Sequence, residues 1–307
     1  MSGKASDIGW LFSRQTVTAQ HLQPIRASLR LMVRRGFRHL PVVDENSKVV
    51  GILSAQDIID ALYLASREIE IKSKEIAENV LALLSKPLKE IMSTRTSTLG
   101  KNCELLEIIR VMSENNVGAV PIVDGNNVIQ GIITLRDLVF LMWVSPGRLG
   151  VSVSDIMTPN PALITSSQRV LEAIAVMSTR KVRRLPVVAS TAQLRNVEGV
   201  VSNKDVLRYL ESDLTYNLME LVSRAFLSPV TRIMTWRTIT ISPNEDVRTA
   251  AYMMMTLGIG GLIVTDGEMV GVITERDLIN KLYRIRGNDF MKKAIVPAED
   301  TSDRPSW

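Results

Sequence analysis

The chain has one cysteine, Cys103, so it has no disulfide framework and no thiolate-rich metal site. Its two histidines, His21 and His39, leave little for a zinc centre or a histidine-based triad. Aromatic residues make up 5% of the chain, which argues against a stacking platform for single-stranded nucleic acid. No block of like charge occurs, and a net charge of +5 permits an anionic ligand without arguing for nucleic acid. No signal-peptide stretch opens the chain. The most apolar region, from Val128 to Val144, is interrupted by Gln130, Arg136 and Asp137 and is no candidate membrane span. A soluble cytoplasmic protein is the expectation. At 46% apolar residues over 307, there is ample material for one large core or two ordinary ones.

What the chain has is repetition. The pattern Gly, two aliphatics, Ser or Thr, two variable residues and Asp occurs at Gly51–Asp57, Gly131–Asp137, Gly199–Asp205 and Gly271–Asp277. The copies align on Pro41, Pro121 and Pro186, with Ile263 in that place in the fourth. Met32, Met112, Met177 and Met254 lie nine residues earlier. Each copy begins with a leading segment: Ile91-Met92-Ser93, Ile156-Met157-Thr158 and Ile233-Met234-Thr235, with a divergent Leu11-Phe12-Ser13 in copy one. A β-branched run follows, then a helical period, a buried strand, a turn such as Asp124-Gly125, a second strand and a second helix. The expected fold is α/β (α+β), each copy reading strand, helix, strand, strand, helix. One such unit holds too little core to stand alone, whereas two make a domain of normal size.

The spacers set the division. It is a tail at 1–8, copy one at 9–65, a helical linker at 66–86, copy two at 87–143 and a Pro-Gly turn at 144–149. Copy three follows at 150–210, then a second helical linker at 211–226, copy four at 227–285 and a tail at 286–307, expected to be mobile. Copies one and two form one module, three and four the other.

Two positions carry chemistry. Ser54, Thr134, Ser202 and Thr274 are helix N-caps, and Asp57, Asp137, Asp205 and Asp277 three residues on complete capping boxes. The same atoms suit a ligand. A helix N-terminus offers N–H groups to an anion, and a carboxylate accepts two hydrogen bonds from a ribose diol. Before the anchor proline stand Arg38-His39 in copy one and Arg183-Arg184 in copy three, against Gly118-Ala119 and Gly260-Gly261 in copies two and four. Charge opening a buried strand calls for a partner, either solvent or a phosphate gripped by the arginine fork. The small residues would then leave room for a base or ribose.

The Ile-Met-Ser/Thr segments, Leu40-Pro-Val-Val43 and Gly271-Val-Ile-Thr-Glu-Arg-Asp277 resemble the cystathionine-β-synthase (CBS) domain family over residues 9–285. The resemblance implies repeats paired through their sheets into two Bateman modules. It also implies ligand clefts that take AMP, ADP, ATP or S-adenosylmethionine, and regulation of a partner protein. It puts the ribose carboxylate on Asp57, Asp137, Asp205 and Asp277, with Ser54, Thr134, Ser202 and Thr274 as the hydroxyls. It puts an adenine-side strand at Thr16 and Thr18, Thr96 and Thr98, Ala162 and Ile164, and Thr238 and Thr240. The phosphate-facing positions are Arg38, His39, Arg183 and Arg184. The expected function is therefore a non-catalytic adenine-nucleotide sensor without obligatory cofactor or metal, forming a homodimer or closing its two modules on each other within the chain. Two other readings stand beside it. One is nucleic-acid binding through the stripe Arg26, Arg30, Arg34 and Arg38; the other is a scaffold with empty clefts whose Asp residues serve only as caps.

Overall fold

The computed structural model describes residues 16–67, 73–145, 147–190, 196–213 and 218–295. The divergent leading segment of copy one, most of the long turn in copy three and the chain beyond 295 lie outside these.

Each copy builds a small mixed sheet. In copy one the first strand, Ala19–Gln20, runs parallel to His39–Val43, which is antiparallel to Val49–Ser54. Copy two repeats this with Leu99–Gly100, Ala119–Val123 and Ile129–Thr134. Alternating burial along Val49–Ser54 places Val49, Gly51 and Leu53 on the core face, as a half-buried strand requires. A helix bridges the first two strands of each copy, such as Ile25–Arg35, and a second leaves the hairpin, such as Ala55–Ser66.

Partner copies in the second module exchange their leading segments. Thr158–Pro159 of copy three pairs antiparallel with the Glu268–Thr274 strand of copy four. Thr235–Trp236 of copy four pairs with Val197–Ser202 of copy three. In the first module Ser93 of copy two exchanges two backbone hydrogen bonds of 3.0 Å with Ile52 of copy one. The motif glycine exists because of this crossing. A Cβ on Gly51 would lie 2.7 Å from the Ser93 carbonyl oxygen and 2.9 Å from Met92 Sδ. On Gly199 it would meet Thr235 and Met234, and on Gly271 Thr158 and Met157, all within 3.0 Å. The repeated Gly and the repeated Met are thus two sides of one contact.

The modules then pack helix on helix within the chain. Copy one meets copy three: Ala55–Ser66 lies against Val170–Thr179, and Ile25–Arg35 against Asn203–Asp213. Copy two meets copy four: Leu135–Val144 lies against Val247–Thr256, and Leu105–Glu114 against Leu282–Ile295. Each of the two large cores is therefore shared across the modules, not held within one. The four copies close into a ring in which sheet contacts alternate with helix contacts.

The two spacers are part of this packing. Ser73–Ser85 and Leu218–Leu227 lie against each other and bury Ile76, Ala77, Val80, Leu84, Val222 and Phe226. The segment after Arg286 departs from the expected mobile tail. A helix runs on to Ile295, past a break at Gly287, and Met291, Ala294 and Ile295 are fully buried against copies two and four. Three apolar side chains on one helical face outweigh the polar composition around them.

Candidate ligand cleft and the basic hub

All four Ser/Thr–Asp pairs form the capping geometry. Asp57 Oδ2 accepts from the Ser54 amide at 2.6 Å and Asp137 Oδ2 from the Thr134 amide at 2.7 Å. Asp205 Oδ2 accepts from the Ser202 amide at 2.9 Å and Asp277 Oδ2 from the Thr274 amide at 2.8 Å. In copies two, three and four the hydroxyl also donates to the same oxygen, at 2.6 to 2.7 Å. One carboxylate oxygen caps the helix, and the other stands outside the capping box. Burial pushes the Asp57 and Asp137 carboxyls up, opposed by the Ser54 and Thr134 hydrogen bonds.

A cavity of about 290 Å³, near the lower end for small-ligand sites, opens between copies three and four. Thr274 and Asp277 line it from copy four, Ala162, Arg183 and Arg184 from copy three, and Arg38 reaches in from copy one. Ser54, Asp57, Thr134, Asp137, Ser202, Asp205 and His39 are not among its lining residues.

The adenine-side strand differs from expectation. Of its eight assigned residues only Ile164 and Thr240 lie in strands. Thr16, Thr18, Thr96, Thr98, Ala162 and Thr238 lie in irregular chain just before them, because the parallel pairing spans only two residues per copy. Nor do Thr238 and Thr240 wall the Asp277 cleft. The exchange of leading segments brings Thr158, Pro161 and Ala162 of copy three there instead.

The basic pairs converge at the centre of the ring. Arg38 binds the Glu275 carboxylate from one side; Arg136 binds it from the other, with Nη2 at 2.8 Å and Nε at 2.9 Å. Burial alone would raise the Glu275 carboxyl, but Arg38, Arg136 and Arg184 outweigh it and hold it below the usual range. Burial and then the neighbouring guanidinium groups pull Arg183 down to about 9 and Arg184 to about 10. Burial, Arg183, Arg38 and Arg276 hold the His39 imidazole well below its ordinary value. The small residues opposite do not leave the expected room. A Cβ on Gly118 would lie 3.0 Å from His39 Nε2 and 3.1 Å from Arg183 Nη1, and one on Gly260 would collide with Arg184 and crowd Arg38. The space that glycine frees is filled by guanidinium and imidazole groups. The hub is cation-rich, with Glu275 as the carboxylate bound at its middle.

Copy four carries two groups that the motif alone does not single out. Glu275 takes the place of Ala55, Leu135 and Asn203; its charge at a buried position was the available signal. Lys281 sits four residues after Asp277 and pairs with its Oδ1 at 2.7 Å, a helical i,i+4 spacing visible in the sequence.

Three arginines of the copy-one stripe face carboxylates. Arg30 and Arg34 each lie 3.6 Å from Glu211 of copy three, and Arg38 turns into the hub. Cys103 is buried, and burial pushes its thiol up to about 11. Among the described residues no cluster of His, Cys, Asp or Glu could hold a metal ion, and no helix is long and apolar enough to cross a membrane.

Paired α/β repeats closed into a ring around a basic centre define the tandem CBS architecture. The CBS domain model matches residues 5–64, 88–143, 153–212 and 230–284, and the chain belongs to the CBS domain family. A 33.4 kDa protein of a ribosomal RNA operon in Thermofilum pendens is 30% identical over 260 residues, covering 83% of this chain and 84% of that one. Protein MJ1225 of Methanocaldococcus jannaschii is 30% identical over 272 residues, covering 87% and 95%. The crystal structure of MJ1225, proposed to be an archaeal homologue of γ-AMPK, superposes with a TM-score of 0.78 over 90% of this chain and 99% of that one.

Proposed function

We propose that this protein is a regulatory sensor of adenine nucleotides, with AMP, ADP, ATP or S-adenosylmethionine as its ligand class. The cleft between copies three and four takes the nucleoside, and the phosphates point to the hub. The observation that carries this reading is the meeting of a capped helix N-terminus, a ligand-sized cavity and the crowded cations Arg38, Arg183 and Arg184 in one place. Burial first, and the neighbouring guanidinium groups second, disfavour the charged forms of Arg183 and Arg184, and an incoming phosphate offsets both, so the hub suits an anion. The structural likeness to a proposed γ-AMPK homologue agrees with it.

Sensing needs a ligand that prefers one of two arrangements. A phosphate in the hub competes with Glu275 for Arg38 and Arg136, and so bears on how copy four is held to copies one and two. The output is a partner protein or the chain's own assembly, and no chemical step is assigned to the site. Mass spectrometry of small molecules released from the purified protein, followed by calorimetric titration, tests the reading. An adenine nucleotide recovered or bound at micromolar to millimolar concentration is expected. Folded protein that binds none of the four at millimolar ligand overturns it.

A further inference from the structure

Lys281 separates the cleft of copy four from the other three. Its ammonium donates to the carbonyls of Ile156 at 3.0 Å and Met157 at 3.2 Å and to Thr158 Oγ1 at 2.8 Å, and it pairs with Asp277 Oδ1 at 2.7 Å. The Thr158 hydroxyl lies 3.5 Å from the same Oδ1. The other Asp277 oxygen is consumed by the cap. Both oxygens of the carboxylate that a ribose diol would need are therefore engaged by the protein itself. The equivalent positions, four residues after Asp57, Asp137 and Asp205, are Ala61, Leu141 and Tyr209, which offer no ammonium; in copy three the exposed Arg208 reaches Asp205 Oδ1 at a longer 3.5 Å. Asp277–Lys281 is a π turn, whereas Ser54 and Thr134 open α-helices.

We propose that Lys281 determines the specificity of this cleft: by holding Asp277, it makes the site read a nucleotide through its phosphates and not through its ribose hydroxyls. The inference rests on the nucleotide reading above. The cleft keeps its cations, with Arg38, Arg183, Arg184 and Lys281 along its walls, while both oxygens of its motif carboxylate, Asp277, already have protein partners. Ligands that share a charged phosphate end and differ in the sugar are then bound alike.

The test titrates the full chain, its Lys281→Leu variant and its Lys281→Gln variant with AMP and with 2′-deoxy-AMP, with crystal structures at saturating ligand identifying the filled cleft. Leucine stands at the matching position in copy two, so the fold already accommodates it beside a motif Asp. In the wild type, AMP and 2′-deoxy-AMP are expected to bind this cleft with Kd values within about threefold of each other. In K281L the freed carboxylate is expected to favour AMP by about tenfold or more, the effect of a hydrogen bond to a charged acceptor. Lys281→Gln, a neutral hydrogen-bonding side chain, is expected to fall between. The ratio of the two affinities reports on the sugar, and a general loss of stability does not move it. A wild type that already discriminates tenfold, or a K281L ratio unchanged from wild type, overturns this inference alone. Absence of both nucleotides from the cleft in all three proteins overturns the nucleotide reading and this inference with it.

Discussion

His39 faces Arg38, Arg183 and Arg276, and its imidazole is held neutral by burial first and by those charges second. A histidine whose folded pKa lies below its unfolded value binds fewer protons folded than unfolded. Its contribution to stability is complete above about pH 6.5 and is lost as pH falls from there toward the depressed value. The loss approaches about 1.4 kcal/mol per pH unit. Urea unfolding at pH 7 and pH 5.5 is expected to show a smaller drop in stability for His39→Gln than for wild type; equal drops would assign the pH dependence elsewhere. At this scale the sequence was informative where the chemistry is local. Ser54 with Asp57 and Thr274 with Asp277 are caps three residues apart, and spacing alone places them. It could mark Glu275 as an unusual charge but not name its partners, because Arg38 and Arg136 lie 237 and 139 residues away.

Between elements, the defining event is the passage of a leading segment across its partner's sheet. Gly51→Ala puts a methyl group 2.7 Å from the Ser93 carbonyl oxygen, a backbone atom with no rotamer to yield. A cost of about 1–3 kcal/mol is expected, read as a lowered thermal midpoint. Gly125→Ala is the control, because a Cβ there meets nothing within 4 Å. Its midpoint is expected to stay near wild type. The helices and hairpins were legible from period, turn signals and caps, and so was their order within a copy. The exchange of leading segments was not. The Ile-Met-Thr sequence of copy three fits its own sheet and its partner's equally well, and only the geometry of pairing decides. The helix reaching Ile295 was missed for a related reason: Met291 and Ile295 make one apolar face only against copies two and four.

Across the whole molecule, Glu275 joins three copies through one carboxylate. Glu275→Gln keeps the shape and removes the charge, leaving Arg38 and Arg136 without their anion. A loss of about 2 kcal/mol is expected in chemical unfolding, since both guanidinium groups keep some access to water. Added sulfate is expected to restore part of it by binding the folded hub. Recovery equal in variant and wild type would mean that the anion acts elsewhere. The sequence announced the four copies. Which copy packs against which across the modules lies in apolar faces that look alike on every second helix, so the ring could not be read from the chain.

The shared cores also constrain the order in which the chain can be made. On a ribosome the helices of copy one emerge well before those of copy three, against which they are buried. Copy two likewise precedes copy four. The first module therefore spends its early life with two greasy helical flanks open to the cell, and neither is covered until the second half has been translated. Synthesis paused near residue 150 would leave that half-ring as the longest-lived sticky species, a natural client for a chaperone.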